Sequence, residues 1–210
     1  MSSSPATKAQ QAYAAIRSRI ITCELRPGEM LTEARLTELT GFGHTPIRDA
    51  LQRLAAEGLV TVSARRGTFV AAVNLDDAQQ IFDLRVAIEG VIAEQVIARL
   101  ADSDVELLDE LISLTEVDDS IESDPAIDTR FHELLLDVAG NRFLTDVYVS
   151  LHDASMRLFY LTRCGMEPRT QQLTTLRATR AAFAARDVAA LRETLTEHVS
   201  DFRRRVGGAL

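Results

Sequence analysis

A chain of 210 residues with a 46% hydrophobic share suits one large domain or two small ones, each able to bury a real core. Its net charge of −8 argues against a nucleic-acid partner only until it is divided along the chain. Residues 1–72 hold nine Lys and Arg against six Asp and Glu, a net of +3, whereas the remainder holds 14 against 25, a net of −11. A basic head on an acidic body leaves only the head fit to face phosphate.

In chain order, Met1 to Pro5 read as a disordered tail, and MSSSPATKAQ lacks the apolar centre of a signal peptide. A first helix is expected from Thr7 to Cys23, with Tyr13, Ile16, Ile20 and Ile21 on one side, ended by Arg26-Pro27-Gly28. A short helix follows from the N-cap Thr32, turning Leu36 and Leu39 inward, and Gly41-Phe42-Gly43 breaks it. The next helix is expected from Thr45, with Pro46 at the first helical position, to Glu57, with Ile47, Leu51 and Leu54 inward and Gly58 as its stop. Leu59–Val62 and Thr68–Val70 then read as two strands joined by Ala64-Arg65-Arg66-Gly67, a two-stranded wing.

Beyond Ala72 the pattern is helical throughout. Asn74 is the expected cap of a helix running to Leu100, with Ile81, Leu84, Ile88, Ile92 and Val96 as its stripe. Further helices are expected near 102–116, 125–139, 142–164, 168–185 and 188–206, punctuated by Gly140-Asn141, Gly165 and Arg186-Asp187. The fold class is therefore mostly α: an N-terminal winged helix-turn-helix over 6–72 and an all-helical antiparallel bundle over 73–210. Cys23 and Cys164 have neither metal nor redox spacing, which fits a reduced, cytoplasmic protein. No apolar run approaches the ~18 residues that span a bilayer, so no membrane partner is expected.

The helix-turn-helix has a direct chemical reading. His44, Thr45 and Arg48 fall at the front of the second helix, where base edges are reached first. Arg pairs bidentately with guanine, while Thr bonds phosphate or touches a thymine methyl. Arg65 and Arg66 form a basic wing tip beside Gly67, which lets the backbone approach closely. A charge cluster alone usually marks only a solvated surface, but here the clusters sit on one supersecondary unit.

In the acidic half, Asp128 and His132 are four apart and project from one helix face, a spacing that offers two ligands to one metal ion. Arg85, early in the long helix, and Arg157, further on, are candidate forks for a carboxylate; the alternative for each is a salt bridge to one of the many acids. His152 has no spacing that recruits it, and Asn141 reads as a helix-end cap.

These segments carry a resemblance. AYAAIRSRIITCELRPGEMLTEARLTELTG, HTPIRDALQRLAAEGLV and RRGTFVA resemble the winged helix-turn-helix of GntR family bacterial transcription regulators. DLRVAIEGVIAEQVIARL (83–100), DTRFHELLLDVAGN (128–141) and ARDVAALRETLTEH (185–198) resemble the FCD effector domain of the FadR-type subfamily. The resemblance implies a homodimer on a near-palindromic double-stranded operator, responding to a small organic acid. It implies a DNA-contacting role for Arg35, and it expects Arg where this chain has His44. It also implies a Zn or Ni site in which Asp128, His132 and His198 are joined by one more histidine, expected at position 176, where Leu176 stands. The same trio without a metal would instead hold the effector or one another. Two other functions compete: a metal-dependent helical enzyme, for which the chain shows no HExxH, nucleophile elbow or phosphate loop, and an architectural DNA binder without a ligand.

Overall fold

In a computed structural model of the chain, residues 6–117, 124–162 and 167–208 are described. Cys164, Gly165 and the Met1 to Pro5 tail lie outside them. Contacts divide the chain into two compact units. One is built from residues up to Asp76 together with Asp153–Leu161; the other is built from Asp77–His152 and from Thr162 onward. The sequence places the division at residue 72.

The first unit opens with α1 (Lys8–Ile21), whose capping box pairs the Thr7 hydroxyl with the Gln10 N–H and the Gln10 side chain with the Thr7 N–H. Strand β1 (Met30–Leu31) precedes α2 (Glu33–Thr40). The Thr32 hydroxyl accepts from the Arg35 N–H to start α2, and Gly41, left-handed at φ 73°, ends it. Helix α3 spans His44–Ala56, starting one residue earlier than expected. Pro46 is thus its third residue, still inside the first turn, where its missing N–H has no partner to lose. Strands β2 (Val60–Ser63) and β3 (Gly67–Val70) form the hairpin.

The wing is not the two-stranded ribbon the sequence suggests. Met30 and Leu31 pair with Phe69 and Thr68, giving a three-stranded antiparallel sheet in the order β1-β3-β2. A two-residue strand is too short to show period-2 alternation, so sequence patterning cannot find it. Ile16, Ile20, Leu36, Ile47 and Leu54 are fully buried and bring α1, α2 and α3 onto one core with Leu31, Val60 and Val70 of the sheet. Each such burial stabilises by about 1.5–3 kcal/mol. Tyr13, Ile21, Leu39 and Leu51 are half-buried around it.

In the second unit, a short 3₁₀ turn (Leu75–Asp77) leads into α4 (Ala78–Arg99). Asn74 does not cap α4; its side chain accepts from the Asp76 N–H and shapes the turn before it. Helices α5 (Asp102–Val117), α6 (Pro125–Ala139), α7 (Arg142–Thr162), α8 (Arg169–Ala185) and α9 (Val188–Gly208) follow. Asp124 caps α6 through the Ala126 N–H, with Pro125 as its first residue, and left-handed Gly140 ends it. Asn141 accepts from the Leu144 N–H, the capping role its position suggested. Among the described residues no helix is long and apolar enough to cross a membrane.

Helix α4 packs on α6 and α9, and α8 packs on α5 and α9. The stripe expected for α4 holds only in its second half. Ile92 and Val96 are buried, but Leu84 is 55% exposed and Ile81 and Ile88 are only half-buried. The inward positions of the first half carry Arg85 and Glu89. A stripe traced through apolar residues alone therefore turns to the wrong face as soon as the buried face becomes polar.

Candidate nucleic-acid interface and candidate metal centre

The front of α3 stands free of the core. Thr45 is exposed, and the His44 and Arg48 side chains each keep 68% of their surface, while Ile47 between them is buried. Glu33, the first residue of α2, reaches across: its Oε1 accepts from Arg48 Nε at 2.6 Å and its Oε2 lies 3.0 Å from His44 Nδ1. Arg35 projects from the same helix and pairs with Glu29 at 2.7 Å. The wing turn exposes Arg65, Arg66 and Gly67. Arg65 is left-handed at φ 75°, Gly67 at φ 106°, and Arg66 donates its N–H to Ser63, which closes the turn. The seven residues singled out for duplex contact are thus all on the surface of one unit. Glu33 was not singled out, because an acid in a basic reading face gives no charge signal.

Helix α3 is anchored at its other end. Arg53 donates to Glu57, lies 3.8 Å over the Tyr13 ring, and Tyr13 donates its hydroxyl to Glu57 at 2.7 Å. Burial first, then the Glu57 hydrogen bond, pushes the Tyr13 hydroxyl up to about 12, so it stays a donor.

The second unit hides its polar residues inside. Three helices each present a pair spaced i, i+4 toward one point: Arg85 and Glu89 on α4, Asp128 and His132 on α6, Tyr148 and His152 on α7. His198 joins them from α9. The Asp128 carboxylate is the meeting point: its Oδ1 lies 3.7 Å from His132 Nε2 and 3.2 Å from His198 Nε2, and its Oδ2 lies 3.8 Å from His152 Nε2. Side-chain exposures of 5%, 10% and 16% for the three imidazoles put them inside, while Asp128 at 23% keeps an opening to solvent. His132 Nδ1 meets the Tyr148 hydroxyl at 2.7 Å, and Arg85 Nη2 donates to that same oxygen at 2.9 Å.

Electrostatics follow from this geometry. Burial alone would raise the Asp128 carboxyl, but His132, His152 and His198 outweigh it and hold the group well below the carboxylate range. Burial, against the pull of Asp128 and together with the other histidines and Arg85, keeps His132 well below the ordinary imidazole value and hence neutral. Burial works against the charge on His198, yet Asp128 and Glu167 raise it. Glu89, fully enclosed, is pushed up to about 7 by burial, opposed by Arg85 and His198.

This donor set fits a divalent cation. Ligands on a tetrahedral ion sit ~3.3 Å apart, given bonds of about 2.0–2.2 Å to nitrogen and oxygen. Asp128, His132 and His152 gather ligand atoms within 4.8 Å of one another, as do Asp128, Glu167 and His198. The buried Nε2 of His132 has no hydrogen-bond partner among the described residues, nor does the buried Nδ1 of His198. Buried polar atoms rarely lack a partner altogether, so these two call for an ion, a ligand or a bound water. Tyr148 on His132 Nδ1 would serve as the outer partner that orients a ligating imidazole.

Two expectations change here. Leu176, where the resemblance expects a ligand, is buried in the apolar core, and α7 brings His152, which spacing sets aside, to Asp128. Arg157 does not join the cluster: it belongs to the first unit, where it donates to the Ala71 carbonyl, and burial lowers its affinity for its proton. Arg85 does join, through Tyr148, with Glu89 3.9 Å away. Beside Glu167 opens a cleft of about 380 Å³ lined also by Thr170, Gln171, Asp201, Arg204 and Arg205.

Two family descriptions match the chain. Residues 8–70 match the gntR family of bacterial regulatory proteins, and residues 80–201 match the FCD domain. The chain is 30% identical over 203 residues to the HTH-type transcriptional repressor GlaR of Escherichia coli K12, covering 89% of this chain and 90% of that protein. It is 25% identical over 199 residues to the repressor RspR of the same strain, covering 91% and 86%. Among solved structures, E. coli McbR/YncC superposes with a TM-score of 0.78 at 19% identity over 97% of this chain and 98% of that one. A GntR regulator from Rhodococcus sp. RHA1 follows with a TM-score of 0.67 at 20% identity over 98% and 100%.

Proposed function

Because the chain belongs to the gntR family of bacterial regulatory proteins and carries that family's FCD domain, we propose that it is a homodimeric repressor whose grip on a near-palindromic operator is set by a small organic acid and a divalent metal ion. The family is one of ligand-responsive transcriptional regulators and not of enzymes, which removes the alternative of a metal-dependent helical enzyme. The observation that carries the reading is the pairing of a free α3 front with an internal centre whose polar atoms are unsatisfied.

Helix α3 enters the major groove N-terminus first. Arg48 reads guanine with its fork, Thr45 bonds phosphate or a thymine methyl, and His44 reaches a neighbouring base edge. Arg35, Arg65 and Arg66 neutralise phosphates, with Gly67 admitting the backbone. Two heads held by one dimer read two half-sites together and gain by effective concentration what each lacks alone. The exposed Leu84 and Val91 of α4 and Phe143 and Val147 of α7 are the apolar positions offered to a second copy.

Asp128, His132, His152 and His198 would hold Zn or Ni. Such an ion supplies a fixed positive charge to a carboxylate. Arg85, whose Nε has no partner among the described residues, supplies the protein's own cation for the acid, oriented by Tyr148. The unsatisfied atoms favour this reading over a ligand-free architectural protein.

The test begins with duplexes selected from a random library. Fluorescence titration at moderate salt should show a preference for the selected duplex, lost in Arg48→Ala, and a panel of organic acids should contain one that raises the melting point of the metal-loaded protein. Equal affinity for selected and random DNA sinks the DNA half of the reading; no shift from any acid sinks the effector half.

A further inference from the structure

We propose that Glu33 is a positioning residue for sequence readout: by taking Arg48 at Nε and His44 at Nδ1, it turns the outer fork of Arg48 and the Nε2 of His44 toward the bases. The inference rests on the reading that α3 enters the major groove. It assigns a role to an acid that a phosphate-facing surface would otherwise exclude.

Glu33 is well placed to hold its carboxylate still. It begins α2, and the Thr32 cap fixes that beginning. Its side chain is 31% exposed, far less than the two it holds. His44 and Arg48 are four apart, one above the other on α3, so one carboxylate spans both, one oxygen to each. The Arg48 hydrogen bond above all, with His44 behind it, holds the Glu33 carboxyl below its ordinary value, so it is ionised wherever the protein would meet DNA.

The consequence is chemical. A guanidinium taken at Nε presents Nη1 and Nη2 as its remaining planar fork, which matches guanine O6 and N7. An imidazole held at Nδ1 by a carboxylate presents Nε2 to the duplex, as an acceptor whenever the ring carries a single proton. An acceptor there favours the exocyclic amine of adenine or cytosine over the guanine that an arginine would choose. Glu33 thus sets which bases the two side chains select, at the cost of one negative charge near phosphate. Sequence preference and general DNA affinity should therefore respond in opposite directions to its loss.

The experiment uses the full chain, a duplex selected by the wild-type protein from a random library, and a random duplex of equal length. In Glu33→Ala, the ratio of selected to random affinity should fall at least tenfold, while affinity for random DNA stays equal or rises. Glu33→Gln, which keeps one acceptor but not the charge, should fall between. Placing 7-deazaguanine at the guanine read by Arg48 should cost the wild type at least tenfold and Glu33→Ala less than threefold. Retained binding of random DNA shows that the variant head is folded. A ratio within twofold of wild type in Glu33→Ala, or tighter binding of the selected duplex, overturns the proposal when Arg48→Ala still collapses the ratio. If Arg48→Ala also leaves the ratio intact, the groove reading falls and takes the proposal with it.

Discussion

The two units place the polar residues of their candidate sites in opposite ways. The first puts them outside: His44, Thr45, Arg48, Arg65 and Arg66 surround an apolar core built from α1, α2 and α3. The second puts them inside, with Arg85, Glu89, Asp128, His132, Tyr148, His152 and His198 set into helices that otherwise bury aliphatic side chains. An outward polar group needs no partner in the free protein, because water serves. An inward one must find a partner or leave a debt for a ligand to settle. The proposed DNA-contacting residues of the first unit are thus satisfied by water in the free protein, whereas His132 and His198 of the second keep buried atoms without a hydrogen-bond partner among the described residues.

The largest test of this contrast is apolar. Leu176→Ala should cost about 2–5 kcal/mol of stability, read by thermal or denaturant unfolding, with metal stoichiometry unchanged. A fall in bound metal would mean that position 176 belongs to the centre after all. Next is Glu89. In chelator-treated protein, its raised carboxyl binds a proton more tightly folded than unfolded, so its contribution is fullest near pH 4 and is lost as pH climbs toward about 7. Glu89→Gln should remove that loss, leaving the variant more stable than wild type by up to a few kcal/mol at pH 8 and equal near pH 4. Parallel curves would place Glu89 in water.

Zn or Ni at a hundredfold excess over its dissociation constant should raise stability by about 2.7 kcal/mol, a shift of roughly 5–10 °C in melting point. His152→Ala should reduce that shift, and an unchanged shift would return the site to three ligands. The smallest effect belongs outside. Arg66→Ala should weaken selected and random DNA alike, lowering the salt-dependence slope by about one, whereas Arg48→Ala should lose preference by roughly 10- to 100-fold. If both change preference equally, the wing reads bases too.

The outward residues were legible in the sequence because exposure leaves their signals intact. Basic residues beside Gly67 and at the front of a helix headed by Pro46 need no knowledge of what lies across the fold. Helix bounds came out within a residue or two where a cap marks them, as at Asp124 and Gly140. The inward residues were only half legible. Asp128 and His132 share a helix, so spacing joins them; His152 and Tyr148 reach them from another helix, and only packing decides that meeting. Leu84 misled for the same reason, since hydrophobicity cannot point inward where the interior is charged. Strand β1 was missed because its two residues have meaning only beside β3.

That short strand has a mechanical consequence. Leu31 is held to Thr68 one residue before the Thr32 cap, so the basic hairpin is stitched to the start of the helix that carries Glu33 and Arg35. The hairpin and the start of α2 are thus coupled through backbone pairing, like the two jaws of one caliper. On the proposed reading, a duplex gripped there would have to supply the matching local twist and width, so bases that no side chain touches would also be selected through how readily they deform.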